Sequence, residues 1–122
     1  MVKAKVEEPV AAPEKPKGPY PPLATGTDET GLRWEDVSVF GAVWRVGEIT
    51  TQDEDEAFDA AELPDDKINA RLERRLRLVA AVKAPKISLD EIATWPGLKT
   101  RSLMYVMDRI NSLPPADAEG NA

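Results

Sequence analysis

Between residues 33 and 49 large apolar side chains alternate with polar ones. Val37 and Val39 stand two residues apart, as do Trp44 and Val46. This period of two is typical of strands that bury one face. Gly41 interrupts the run, so we predict a short β-hairpin with strands at 34–40 and 42–49, the alternative being one bulged strand. Because a two-stranded ribbon is only marginally stable in water, we expect it to pack on helices.

Downstream, the apolar spacing changes to that of helices. Thr51 and Glu54 have the spacing of a capping box, which predicts a short helix at 52–62. Asp65 or Asp66 can cap the longest predicted helix, which ends before Pro85. Its apolar side chains recur at steps of three and four residues and form one stripe: Ile68, Leu72, Leu76 and Val79, widened by Leu78 and Val82.

Two more helices are predicted towards the C-terminus. Ser88 and Glu91 repeat the capping-box spacing and begin a short helix that ends at Pro96-Gly97. A last helix begins near Lys99 and halts at Pro114. One face of it carries Leu103, Val106 or Met107, Ile110 and Leu113. The predicted fold class is therefore mainly α: a small helical bundle of three to four helices with a short N-terminal β-hairpin and a disordered proline-rich arm.

The first 30 residues contain six of the eleven prolines and almost nothing large and apolar. Such a segment buries too little surface to offset its ordering entropy, so we predict a disordered proline-rich arm at 1–30. A domain at 31–115 and a disordered tail at 116–122 follow. Tyr20 is the one aromatic residue of the arm. The surrounding sequence KPKGPYPP fits either a solvated leader or a strip that docks in an aromatic-lined groove.

Composition removes several classes of function. The 122 residues include no cysteine and no histidine, so disulfides, thiolate nucleophiles, imidazole bases and the usual zinc ligands are excluded. The seven glycines are dispersed and form no phosphate-binding loop. We therefore expect no enzyme, no cofactor and no small-molecule substrate. The first residues lack an apolar signal core and no run has membrane-spanning length, which predicts a cytoplasmic protein without a membrane partner.

Two runs of charge need separate interpretation. The acidic run at 53–59 would suit calcium poorly, because an EF-hand loop requires glycine where Phe58 stands; we interpret it as a solvated helix start. The basic face of the longest helix carries Lys67, Arg71, Arg74, Arg75 and Arg77. A net charge of −6 disfavours nucleic acid as its partner. We expect this face to meet the acidic run, within the chain or across a subunit boundary, although recognition of another partner is the alternative.

The C-terminal half resembles a known family. The sequence ITTQDEDEAFDAA is followed by a basic amphipathic helix and by LVAAVKAPKISLDEIATWPGLKTRSLMYVMDRINSLPP. This order over residues 45–115 resembles the small tail assembly chaperones of long-tailed double-stranded DNA bacteriophages. In that family a strand region precedes a helical bundle. A closing segment has a matching pattern here at Ser88–Ile92, Trp95-Pro96, Leu103, Val106, Ile110-Asn111 and Leu113.

The resemblance implies a function of binding. Such chaperones coat the tape-measure protein and help recruit the tail-tube protein in the bacterial host cytoplasm, and they are absent from the finished tail. Many are also made in a longer form when ribosomes shift back one nucleotide near the end of the frame. Glu119-Gly120-Asn121 can be encoded by GAG-GGA-AAC, which contains a heptamer, G GGA AAC, that permits this shift. As a hypothesis, the partner-binding face comprises Trp95, Leu98, Leu103, Met107 and Ile110, and a homo-oligomer is compatible with the sequence.

Two other classes of function compete with this one. A virion structural protein, such as a decoration, connector or minor tail subunit, could use the proline-rich arm to attach to its neighbours. A DNA-binding helix-turn-helix would need a short helix, a turn and a second helix with a polar start. Residues 88–112 offer that arrangement, with Lys99, Thr100, Arg101 and Ser102 at the start of the second helix.

Overall fold

A computed structural model describes residues 18–112 as an α+β fold. The elements in chain order are β1 Ala24–Thr27, β2 Arg33–Val39, β3 Ala42–Gly47, α1 Thr51–Ala60, β4 Glu62–Leu63, a 3₁₀ turn Pro64–Asp66, β5 Lys67–Ile68, α2 Ala70–Ala81, β6 Val82–Ala84, α3 Leu89–Thr94 and α4 Gly97–Ser112. The centre of the fold is a four-stranded antiparallel sheet with strand order β1-β2-β3-β6. The prediction of a mainly α bundle is therefore wrong, because the sheet supplies one whole layer of the core.

The predicted hairpin is confirmed and lies at the middle of this sheet. β2 and β3 pair from Trp34 opposite Gly47 to Val39 opposite Ala42. Phe40 and Gly41 between them both have positive φ, at 52° and 76°. Two left-handed residues are what a two-residue type I′ turn requires, and glycine adopts that conformation without strain.

The strands on either side of the hairpin were not predicted. β1 lies inside the segment predicted to be a disordered arm, and it pairs with β2 from Ala24 opposite Asp36 to Thr27 opposite Arg33. β6 lies where the longest helix was predicted to continue; the helix ends at Ala81 instead, and Val82 pairs with Val46 of β3. Both are edge strands, which carry little apolar alternation of their own. The parts of the predicted arm and tail at residues 1–17 and 113–122, including Glu119-Gly120-Asn121, fall outside the described residues.

The helix starts follow the predicted chemistry with shifts in position. The capping box of α1 is formed by Thr50 and Asp53, one residue before the predicted pair. Asn69 caps α2, because Asp65 and Asp66 have positive φ in the preceding turn and cannot begin a helix. The predicted capping box of α3 is confirmed: Ser88 accepts from the backbone N–H of Glu91, whose carboxylate accepts from that of Ser88. Within residues 18–112, no helix has the length and apolar character needed to cross a membrane.

The core lies between one face of the sheet and the helices. Val37, Val39 and Val46 supply the sheet side and are almost completely buried. The helices cover this face with side chains that are at most 3% exposed: Leu78, Ala81, Ile92, Leu103, Val106, Met107 and Ile110. The apolar stripe of α4 therefore packs against the sheet, because the apolar face of the alternating strands must be buried by a second layer.

The other face of the sheet carries a stacked polar cluster. The guanidinium of Arg45 lies 3.5 Å from the centre of the Trp34 ring and donates two hydrogen bonds to the carboxylate of Asp36, at 2.8 and 3.0 Å. The hydrogen bond from Arg45 lowers the pKa of Asp36. Trp34 in turn lies against the backbone of β1, where a Cβ on Gly26 would come within 2.5 Å of the ring. These contacts cover part of the outer face without helices.

Candidate protein-binding surface

The predicted partner-binding face does not exist as a surface. Leu103, Met107 and Ile110 are 0%, 2% and 3% exposed and contribute to the core. A contact role for these three side chains is therefore wrong for this fold. Of the predicted set, Leu98 is exposed and Trp95 is half-buried. The periodicity of α4 identified an apolar face correctly, but that face packs against the sheet.

Trp95 closes one end of the core instead of standing free. Its ring packs edge-on against Trp44 of β3, with centroids 5.5 Å apart. The ammonium of Lys99 lies 4.2 Å from the Trp95 ring centre and 5.0 Å from that of Trp44. A lysine held over two indoles is stabilised by their π-faces. This cluster fixes the start of α4 relative to the sheet.

The residues that suggested a helix-turn-helix are partly engaged within the chain. Lys99 lies over the two indoles described above, and Ser102 is buried and shares a hydrogen bond with the Tyr20 hydroxyl. Arg101 is exposed. Two of the four side chains predicted to face DNA at the start of α4 therefore make contacts within the chain.

An apolar groove lies between α1 and α2 and has a volume of about 300 Å³. It is lined by three alanines, two branched aliphatic side chains and two carboxylates. The lining residues are Asp53, Glu56, Ala57, Ala60, Leu76, Val79 and Ala80. A groove lined by small and aliphatic side chains can admit a large apolar side chain from a partner helix.

The groove exists because the apolar stripe of α2 is wider than the core needs. Leu78 and Ala81 are buried in the core and Val79 packs against it, but Leu76 and Val79 stay half-buried and also line the groove beside α1. On α1, Ala57 is buried while Phe58 is 51% exposed. The sequence had indicated Leu76 and Val79 as stripe residues. The alanines Ala60 and Ala80 carried no signal, because their role depends on how α1 crosses α2.

The electrostatics of the groove are acidic on the α1 side. Asp53 accepts from the backbone N–H of Thr50 at 3.1 Å, and Glu56 accepts from Gln52 at 3.0 Å. Both carboxylates retain oxygen lone pairs for further donors. Arg77 of α2 joins the two helices through Glu54 of α1 at 3.6 Å, and it also pairs with Glu73 of its own helix at 2.7 Å. Part of the basic face of α2 thus contacts the acidic run within the chain, which is one of the two predicted alternatives.

A larger cleft of about 400 Å³ lies at the edge strand β1 beside the end of α4. Its charged side chains are already bonded inside the chain: Arg33 to Glu48 and Glu35 to Arg109, each at 2.7 Å. It therefore offers a partner fewer groups for contact than its size suggests. Across residues 18–112, no three acidic side chains converge as a metal ion would require.

The chain was compared with protein-family models, with curated proteins and with solved structures, and none of the three comparisons gave a match. The assignment of function therefore depends on the groove and on the sequence resemblance.

Proposed function

We propose that this protein is a non-catalytic binding protein that holds an apolar helical segment of another polypeptide in the groove between α1 and α2. The observation that carries the proposal is the groove itself, which is lined by three alanines, by Leu76 and Val79, and by the carboxylates of Asp53 and Glu56. An amphipathic helix that places a large apolar residue beside a lysine or arginine complements all three features.

The resemblance to tail assembly chaperones supports a more specific proposal, in which the partner is the tape-measure protein of a long-tailed phage and the binding takes place in the host cytoplasm. The residues that carry the resemblance include Leu103, Val106 and Ile110, which are core residues here. The likeness therefore concerns the framework of the domain, and the partner must contact other side chains. The groove supplies them.

Weak individual contacts suit this role. Burial of one large aliphatic side chain contributes about 1.5–3 kcal/mol, which corresponds to roughly 10- to 100-fold in affinity. A tape-measure protein is long and helical, so many copies of a small chaperone can bind along it, and neighbouring copies raise the occupancy of each other. Reversible coverage of apolar helix faces would prevent their premature association.

The test fills the groove without adding charge. Ala60 is exposed and lines the groove, so Ala60→Leu should occupy the space meant for the partner while leaving the core intact. Ala93 of α3 is also exposed and lies outside the groove lining, which makes Ala93→Leu the matched control. Binding of fluorescent fragments of the tape-measure protein from the same genome is measured by anisotropy.

We expect Ala60→Leu to weaken binding roughly 10- to 100-fold and Ala93→Leu to leave it unchanged. Equal binding by both variants would reject the groove as the binding site. Absence of binding by the unmodified chain would reject the tape-measure protein as the partner. Mass spectrometry of purified particles addresses the structural alternative: a chaperone is depleted from them, whereas a decoration, connector or minor tail subunit is present.

A further inference from the structure

The sheet has a free edge at β1. β1 is the first strand in the sheet order, so within residues 18–112 no strand pairs with its other side. Thr27 stands opposite Arg33, but the Arg33 carbonyl accepts from the backbone N–H of Glu48, which follows β3, at 2.9 Å. Thr27 and Arg33 are therefore a pair without mutual hydrogen bonds, and the same holds for Thr25 two residues earlier. The backbone N–H and C=O groups of Thr25 and Thr27 thus point away from β2.

This edge carries few of the features that keep strands from pairing with other chains. β1 is short, but the sequence ATGT of Ala24–Thr27 contains neither a charge nor a proline. Thr25 and Thr27 are both exposed. Proteins protect such an edge with charges, prolines or bulges, or they cover it with another segment of the chain. The edge of β1 therefore calls for a cover.

The cleft of about 400 Å³ lies along the same edge. One side of it is formed by the residues of β1 from Thr25 to Thr27, and Ile110 of α4 contributes to the lining. Its charged side chains are paired within the chain, including Glu35 with Arg109 at 2.7 Å. An occupant that brings an apolar side chain and no charge therefore fits this cleft.

The chain itself leaves the described part of the structure beside this cleft. Helix α4 ends at Ser112, two residues after Ile110. Three residues span at most about 10 Å, so the Cα of Leu113 lies within that distance of the Cα of Ile110. Leu113 precedes Pro114, and a residue before proline favours an extended conformation over a helical one. A large apolar side chain in strand-like backbone thus begins where the cleft is.

We infer that the segment beginning at Leu113 covers the free edge of β1. The Leu113 side chain occupies the cleft, and Pro114-Pro115 run along the edge. We call this segment the edge strap. The proline carbonyls accept from the free N–H groups of β1, and the prolines have no N–H of their own to offer to a further strand. Burial of one leucine favours the covered state roughly 10- to 100-fold. The inference does not depend on the groove between α1 and α2.

Engineered cysteines test the edge strap directly, because the chain contains no cysteine. In the full-length protein, Thr25→Cys is combined with Ala116→Cys, the position after the two prolines. The matched control combines Gln52→Cys with Ala116→Cys. Gln52 is exposed and lies near the same end of α4 on the β3 side, because the N–H of Ile49 donates to the side chain of Asn111 at 3.0 Å.

The rate of disulfide formation within one chain is measured in dilute protein under mild oxidation, by mass spectrometry of the intact chain. We expect the Thr25 pair to close at least about tenfold faster than the Gln52 pair. Adding Leu113→Asp should lower the rate of the Thr25 pair to that of the control, whereas Leu113→Met should preserve it. Equal rates for the two pairs would overturn the inference, and so would a Thr25 rate that is unaffected by Leu113→Asp.

Self-association tests the protective role of the edge strap. In a chain without engineered cysteines, Leu113→Asp should lift the strap and let the β1 edges of two copies pair, which sedimentation velocity detects as association that grows with concentration. Leu98→Asp is the control, because Leu98 is an exposed leucine at the other end of α4. A Leu113→Asp chain that associates no more than the Leu98→Asp chain would overturn the protective role.

Discussion

The two arginine–carboxylate pairs of α4 allow a sharp test of what burial contributes to this fold. Arg109 pairs with Glu35 at 2.7 Å with side chains 12% and 5% exposed, and Arg74 pairs with Asp108 at 2.9 Å with side chains 40% and 52% exposed. The first pair is a single hydrogen bond between buried side chains, whereas the second is a bidentate pair between solvated ones. Replacement of each arginine by methionine therefore compares the loss of a buried ion pair with the loss of a solvated one.

The expected magnitudes differ severalfold. Arg109→Met leaves Glu35 buried without its cation and the carbonyls of Pro19 and Tyr20 without their donor, so we expect a loss of about 3–5 kcal/mol in the free energy of unfolding. Arg74→Met removes a solvated bidentate pair and should cost less than about 1 kcal/mol. In a domain of this size the first change lowers the melting temperature by about 15–30 °C.

Urea denaturation followed by circular dichroism measures both changes, with the slope of the transition checking that both variants unfold in two states. The double variant Glu35→Gln/Arg109→Met should recover about 1–3 kcal/mol relative to Arg109→Met, because no charge remains buried alone. Equal losses for Arg109→Met and Arg74→Met would refute the reasoning, since they would mean that Glu35 is solvated and that the hydrogen bonds from Arg109 to the carbonyls of Pro19 and Tyr20 contribute nothing.

Two further predictions concern the sheet and the core. Hydrogen bonds from the Arg33 guanidinium and backbone N–H lower the pKa of Glu48 below its ordinary 4.5. The contribution of the Glu48 carboxylate to the free energy of unfolding is therefore complete above pH 4.5 and is lost as the pH falls through the depressed pKa. Glu48→Gln should cost about 1 kcal/mol at neutral pH and flatten the acid side of the stability profile measured by urea denaturation. Leu103→Ala should cost about 3–5 kcal/mol because its side chain is fully buried, whereas Leu98→Ala, at 55% exposure, should change stability by at most about 0.5 kcal/mol. Similar losses at the two leucines in thermal melts would contradict the placement of α4.

Local chemistry was the part of the fold that the sequence predicted well. The hairpin followed from alternation and from Gly41, and the start of α3 followed from the spacing of Ser88 and Glu91. Each signal is contained within a few residues, so no tertiary information is needed. The start of α2 was misplaced because Asp65, Asp66 and Asn69 are all competent caps, and only the turn geometry selects Asn69.

The sheet edges were unpredictable for a different reason. Ala24–Thr27 contains no large apolar residue, and its strand conformation comes from pairing with β2. Val82 continues the helical spacing of Leu78, so periodicity alone cannot tell a longer helix from a return to the sheet. The same limitation misled the choice of binding residues: Met107 and Ile110 form an apolar face, but the sequence does not say whether a partner or the chain's own sheet covers it.

The position of α4 has a consequence for synthesis. Val37, Val39 and Val46 are made early, yet the helix that covers them is the last described element to leave the ribosome. At bacterial or eukaryotic rates of elongation the interval between the end of β3 and the start of α4 lasts about 3–10 s. During that time α4 does not yet cover the valine face of the nascent sheet, so the domain completes its core only after α4 has been translated.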